Sequence, residues 1–389
     1  MVNERNSKIC DILSKETGSK SYKAHKYCLD SAERSTIDYG NSEIVWKKRA
    51  ESVPHTRPID LSIVCTQVAN RGSQIFTFFL DGSRRTFKVD YGAYFDGVRT
   101  PIYPIVAGQI GVGCCIRTDK KMHKSKFMSE IIVCVPDKAN LNRNPGFFES
   151  LVNVLNKSDS LTRLGVRVDK VLAYETKKAL GERVDYLDRG IMCVQNRMVE
   201  CEKELVADLV REGRLDQDNY LIKDGSLEYK PTKKDKANKK SYQTFKNNYS
   251  WVLGVSKNFN PEACVDINGK SSPGFIADLD LFHRTPVACY ENQMLGDIQF
   301  AVWYIRIRDK SVTRTPFDGI LKVEKILSTT DEVIDSEEVD LLSAHLINER
   351  MPTSYGSDYR WANHLYPIFL TESFVKSQYL STESFLNLF

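Results

Sequence analysis

With 389 residues, 41% of them apolar, the chain is long enough for one large domain or two ordinary ones with a sizeable core. A formal net charge of +4 against 27% charged residues excludes a histone-like polycation, so any affinity for nucleic acid must come from local clusters. No run approaches the length of a membrane span, the polar start MVNERNSKICDILSKETGSK lacks the apolar centre of a signal peptide, and ten scattered cysteines without a Cys-x-x-Cys point to reduced thiols in a cytoplasmic protein.

Residues 1–60 are polar, with weak helical patterning around STIDYGNSEIVWKKRAES, and read as an N-terminal helical arm. Strand-like runs follow at IDLSIVCTQV (59–68), SQIFTFFLDGS (73–83), RRTFKVDYG (84–92), PIYPIVAGQIGVGCCIR (101–117) and FMSEIIVCVPD (127–137). Short strands joined by turn residues predict a meander. The period then lengthens. GFFESLVNVLNKS (146–158) reads as a helix, and 186–215 as a long one, with Ile191, Val194, Met198, Cys201, Leu205 and Leu209 on one face.

NYLIKDGSLEY (219–229) and YSWVLGVSKNF (249–259) are strands again, separated by a stretch with seven lysines (230–246). Late strands are expected at 297–309 and 319–328, a helix at 336–350, and helix again after Pro367. Strand, strand, strand, helix, strand is the order of a mixed sheet covered by helices. It is also the element order of the ribonuclease H-like core. That core would occupy one domain, 61–389, with 260–345 rich in insertions. The glycines of GQIGVG (108–113) do not make a nucleotide loop, and no Gly-x-x-x-x-Gly-Lys-Ser/Thr is present, so no intrinsic ATPase is expected.

Two apolar strands run into the same tripeptide, Asp81-Gly82-Ser83 and Asp224-Gly225-Ser226. Taken singly, Asp-Gly-Ser is a favourable turn. Taken together, the two acids would emerge at one edge of a sheet if their strands are neighbours. Close carboxylates repel, and a cation between them relieves the repulsion. Mg²⁺ or Mn²⁺ suits such oxygen donors, and a pair of ions can drive phosphodiester hydrolysis. The long helix offers Glu200, Glu202 and Glu204. At 100° per residue Glu202 falls within the apolar face, so it is the first choice, with Glu200 next. A glutamate there is costly to bury unless paired or metal-bound.

FLDGS, a long helix with an inward glutamate, LIKDGSLEY, WVLGVSKNF and HLYPIFLTESFVK, in that order over roughly residues 75–380, resemble the NurA nucleases. These are ribonuclease H-like DNA nucleases associated with HerA-type hexameric ATPases. The resemblance implies metal ligands at Asp81, Glu202 and Asp224, with His364 or Glu372 completing the site. It implies a Gly-Val-x-Lys strand at Gly254, Val255 and Lys257, and a homodimer. Activity on DNA with Mn²⁺ or Mg²⁺, beside a HerA-like ATPase, in end processing or anti-phage defence, is the matching expectation. Lys257 could meet a phosphate, or it is a surface lysine where a strand ends. Lys233, Lys234, Lys239 and Lys240 could hold the DNA backbone, or form a solvated loop. Three other readings stay open. The first is a non-catalytic ribonuclease H-like subunit that binds nucleic acid or an ATPase. The second is an Argonaute Piwi-like module, and the third an unrelated enzyme whose two Asp-Gly-Ser segments are turns.

Overall fold

A computed structural model describes residues 8–31, 44–72, 74–95, 97–177, 184–227, 239–266, 269–292, 298–327, 333–354 and 359–389. Its principal strands are β1 (Ile44–Arg49), β2 (Phe76–Ala93), β3 (Ile102–Thr118), β4 (Lys121–Pro136), β5 (Lys170–Tyr174), β6 (Tyr220–Asp224), β7 (Val252–Ser256), β8 (Ala288–Asn292), β9 (Gln299–Arg306) and β10 (Ile320–Leu327). The helices that matter here are α1 (Ile9–Thr17), α2 (Ser62–Arg71), α3 (Phe147–Leu155), α4 (Tyr186–Arg211), α5 (Lys239–Asn248), α6 (Ser336–Asn348) and α7 (Tyr366–Ser377).

The strands form one sheet in the order β1-β8-β9-β10-β7-β6-β2-β3-β4-β5. β2, β3 and β4 are an antiparallel meander. β6 returns parallel to β2, and β7 lies parallel to β6. Numbering these five by their sequence order gives 3-2-1-4-5 across the sheet, the ribonuclease H-like arrangement, with α4 preceding the fourth strand. β10 pairs antiparallel with β7 and carries the sheet on through β9 and β8. Within 260–345, β8, β9 and β10 therefore extend the same sheet.

Both faces of the sheet are covered, which is why its central strands are apolar almost without alternation. On one face Phe78, Leu80, Val106 and Val112 pack with Val194 and Leu205 of α4. On the other Phe79, Ile222, Leu253 and Val255 pack with residues of α2, α6 and α7. Glycines let the helices come close. A Cβ on Gly111 or Gly113 would lie 2.8 or 2.5 Å from Val375 of α7, and one on Gly108 would lie 2.6 Å from Val194 of α4. GQIGVG is thus a packing motif used on both faces.

Three sequence expectations change. The run at 59–68 is a strand only at Ile59–Asp60, which pairs with His283–Arg284; from Ser62 it forms α2, because Leu61, Cys65 and Val68 are buried at helical spacing while Ile63 is 73% exposed. The two strands expected at 73–92 are a single strand, β2, which passes straight through Asp81-Gly82-Ser83. The first Asp-Gly-Ser is therefore not a turn. The N-terminal segment is helical over α1, but 44–49, expected to be helical, is the edge strand β1. Its β-branched and aromatic IVW run suits a pleated surface better than a helix. Among the described residues no helix is long and apolar enough to cross a membrane.

Candidate active site

The site arises where a short strand stops beside a long one. β6 pairs with β2 only from Phe76 to Leu80, ending at the register Leu80↔Lys223. One residue further on, Asp81 and Asp224 stand next to each other where β6 ends. β2 carries on past the end of β6, still paired with β3, so Asp81 sits inside its strand yet at the edge that β6 leaves open.

Strand alternation sorts the side chains by face. Gly82 faces α4, since a Cβ there would overlap Glu202 Oε1. Asp81 must point the other way, toward α7, whose Phe374 and Val375 cover its cross-strand partner Gly113. Lys223 also faces α4: its Nζ lies 3.1 Å from Glu202 Oε2. Asp224, the next residue, therefore joins Asp81 on the α7 face. Val255 pairs with Asp224, and Lys257, two residues beyond, returns to that side. Its Nζ lies 2.8 Å from Asp224 Oδ2 and 3.6 Å from Glu372 Oε2 of α7. Lys376, one turn along α7, holds Glu372 from outside.

Two carboxylates thus hold one ammonium, and Asp81 adds its charge to theirs. Asp81 is buried, and burial first and Asp224 second push its pKa well above the usual carboxylate range, against the pull of Lys257. Its Oδ2 has no hydrogen-bond partner among the described residues. Burial also disfavours charge on Glu372, but Lys257 and then Lys376 outweigh it and hold that pKa at about 2. Lys257 is pushed upward: burial opposes its charge, and Asp224, Glu372 and Asp81 together prevail.

Glu202 is the inward glutamate of α4, only 2% exposed. It reaches the same rim from the opposite face, bound to Lys223, and burial raises its pKa despite that partner. Glu200 and Glu204 turn away to Arg197, which binds them at 3.1 and 2.8 Å and also grips Glu130. His364 lies buried just before α7, with its ring 6.1 Å from that of Phe369. A positive charge on His364 would favour the charged form of Glu372, after Lys257 and Lys376. Lys233 and Lys234 lie outside the described residues. Lys239 and Lys240 begin α5, and their side chains lie outside what is described.

The second Asp-Gly-Ser does leave its strand. Gly225 has φ +87°, a conformation open to glycine. Ser226 Oγ and the Leu227 N–H each donate to Glu324 Oε2 at 2.7 Å. Sequence reasoning missed Lys223, Glu324 and Lys376. The first two had a visible signal, a charge inside an otherwise apolar strand (YLIKD, ILKVEKIL). Lys376 shows only as the i+4 partner of Glu372.

Hard oxygen donors converge here, and Asp81 Oδ2 has neither a hydrogen bond nor an ion pair among the described residues, so the donor set fits Mg²⁺ or Mn²⁺. Asp81, Asp224 and Glu372 share the α7 face and are the residues that would hold it; Glu202, expected as the third ligand, is engaged by Lys223 on the opposite face. As the side chains stand, no three His, Cys, Asp or Glu groups among the described residues are placed to share one ion.

No family model and no curated protein matches the chain. Among solved structures it is similar to the crystal structure of the NurA nuclease from Sulfolobus solfataricus. The TM-score is 0.43 at 10% identity, over 81% of this chain and 82% of that one.

Proposed function

We propose that the chain is a divalent-metal-dependent nuclease that hydrolyses phosphodiester bonds in DNA. One observation carries this reading. Asp81 and Asp224, 143 residues apart in sequence, lie side by side on one face with Glu372 across from them, and a buried oxygen of Asp81 has no hydrogen-bond partner among the described residues. A protein gains nothing in stability from crowding carboxylates in this way. Bound among them, Mg²⁺ or Mn²⁺ would supply activation of water and neutralisation of charge on the leaving oxygen.

The residues divide the remaining work. Asp81, Asp224 and Glu372 bind the cation. Lys257 offers an ammonium to the phosphate oxygens, where charge builds as water attacks phosphorus in line with the departing oxygen. Glu202, on the other face, holds Lys223 and so braces the end of β6, one residue from Asp224. His364 supports the charge of Glu372. The proposal extends, through the motif resemblance, to a homodimer fed by a HerA-like hexameric ATPase, in DNA end processing or defence against phage.

The test is incubation with single- and double-stranded DNA and Mn²⁺, with and without the ATPase. Asp81→Asn and Asp224→Asn should each abolish cutting while the protein remains folded by circular dichroism. Wild-type rates in either variant would overturn the assignment.

A further inference from the structure

The three lysines of the site are not equivalent. Lys223 is tied down on the α4 face, with its Nζ 3.1 Å from Glu202, 3.0 Å from the Asp224 carbonyl oxygen and 3.3 Å from that of Ser226. Lys376 sits on the surface of α7, with its side chain 49% exposed. Lys257 alone joins two acids of the site, and it does so in their midst, 2.8 Å from Asp224 and 3.6 Å from Glu372. Carboxylates held apart by an ammonium cannot also close on a metal ion. This accounts for acids that converge without any three, among the described residues, being placed to share one.

We propose that Lys257 is a built-in competitor for the divalent cation. Its ammonium fills the space between Asp224 and Glu372, so a cation enters only as Lys257 swings out. The inference rests on the metal reading of the site given above. Lysine is well suited to such a role, because its charge is compact and its four-carbon stem is flexible. Once displaced, the ammonium needs a new anionic partner, and a substrate phosphate is one. Cation and nucleic acid should therefore bind with positive coupling, each easing the entry of the other. Without substrate the acids stay neutralised from within and the site holds metal weakly.

The experiment is Mn²⁺ binding followed by the electron paramagnetic resonance signal of the free ion, with no cleavage step. Lys257→Met should bind Mn²⁺ roughly tenfold more tightly than wild type, within the usual range of a coupling between sites. A single-stranded phosphorothioate oligonucleotide should tighten Mn²⁺ binding to wild type and leave the variant little changed. Lys257→Arg, which keeps the charge, should not gain affinity. If Lys257→Met fails to fold, Lys257→Gln makes the same comparison. Equal or weaker Mn²⁺ binding on loss of the charge would overturn the proposal, as would equal tightening of both proteins by the oligonucleotide. Absence of Mn²⁺ binding to every variant sinks it together with the metal reading. An affinity difference that persists in a protein unable to cut DNA would sink only the nuclease assignment.

Discussion

Asp81 and Glu324 are both buried carboxylates near the end of β6, and their surroundings are opposite. Glu324 takes Lys322 Nζ at 2.6 Å, the Ser226 hydroxyl at 2.7 Å and the Leu227 N–H at 2.7 Å. Burial works against its charge, but Lys322 and these hydrogen bonds prevail and lower its pKa. Asp81 has burial and Asp224 against it, Lys257 for it, and an oxygen with neither a hydrogen bond nor an ion pair among the described residues. Glu51, elsewhere in the fold, follows the Glu324 pattern: Arg284 lies at 3.1 Å, and the Val287 N–H and Ser336 hydroxyl donate at 3.0 and 3.2 Å. Acids that serve the fold are wrapped with donors, whereas an acid left short of them has another use.

The contrast is broken most sharply by removing each acid in turn. Glu324→Ala strands Lys322, Ser226 and the Leu227 N–H in the interior, and breaking a buried pair costs about 3–5 kcal/mol. Asp81→Asn removes a carboxylate whose burial and whose neighbour Asp224 disfavour its charge, so its stability to denaturant should equal or exceed that of wild type. Equal destabilisation by the two changes, measured by urea unfolding, would show that both acids are structural.

A second test addresses the two faces. Gly82 leaves room for Glu202, and a methyl group there would overlap Oε1 and lie 3.0 Å from Cδ and 3.1 Å from Cγ. Because Lys223 holds that carboxylate, Gly82→Ala should cost about 1–3 kcal/mol, the usual range for overpacking. Glu202→Ala combined with Gly82→Ala should recover most of that loss. A Gly82→Ala protein as stable as wild type would mean that Glu202 does not press on β2.

Much of this was legible in the sequence. Apolar runs marked β3, β4, β6, β7, β9 and β10, and a 3.6-residue period marked α4 and selected Glu202 over its neighbours. Asp81 and Asp224 were visible because a charge after an apolar run is costly. What could not be seen was the face each side chain takes. Facing depends on register, and β2 running through Asp81 without a turn is what sets Asp81 and Glu202 on opposite sides. The run at 59–68 misled because β-branched residues outvoted a helical spacing of only three buried positions. Glu324 went unnoticed because its partners, Ser226 and Leu227, come from a segment nearly a hundred residues earlier and meet it only through the pairing of β7 with β10.

The smallest effect separates Asp81 from Glu372 within the site itself. Glu372 is depressed from an ordinary value of 4.5 to about 2, so it adds stability above pH 4.5 that disappears as the pH falls through about 2. Asp81 is raised above its ordinary 3.8, so its contribution is full below that value and is lost as the pH climbs through its folded pKa. The two variants should therefore respond to pH in opposite senses. Glu372→Gln should be less stable than wild type at neutral pH, with the gap closing in acid. Asp81→Asn should match wild type in acid and gain on it as the pH rises. Thermal midpoints from pH 3 to pH 8 without divalent ions give the two slopes. Parallel slopes would mean that Lys257 shields both acids alike, and the division between a satisfied and an unsatisfied carboxylate would not extend into the site.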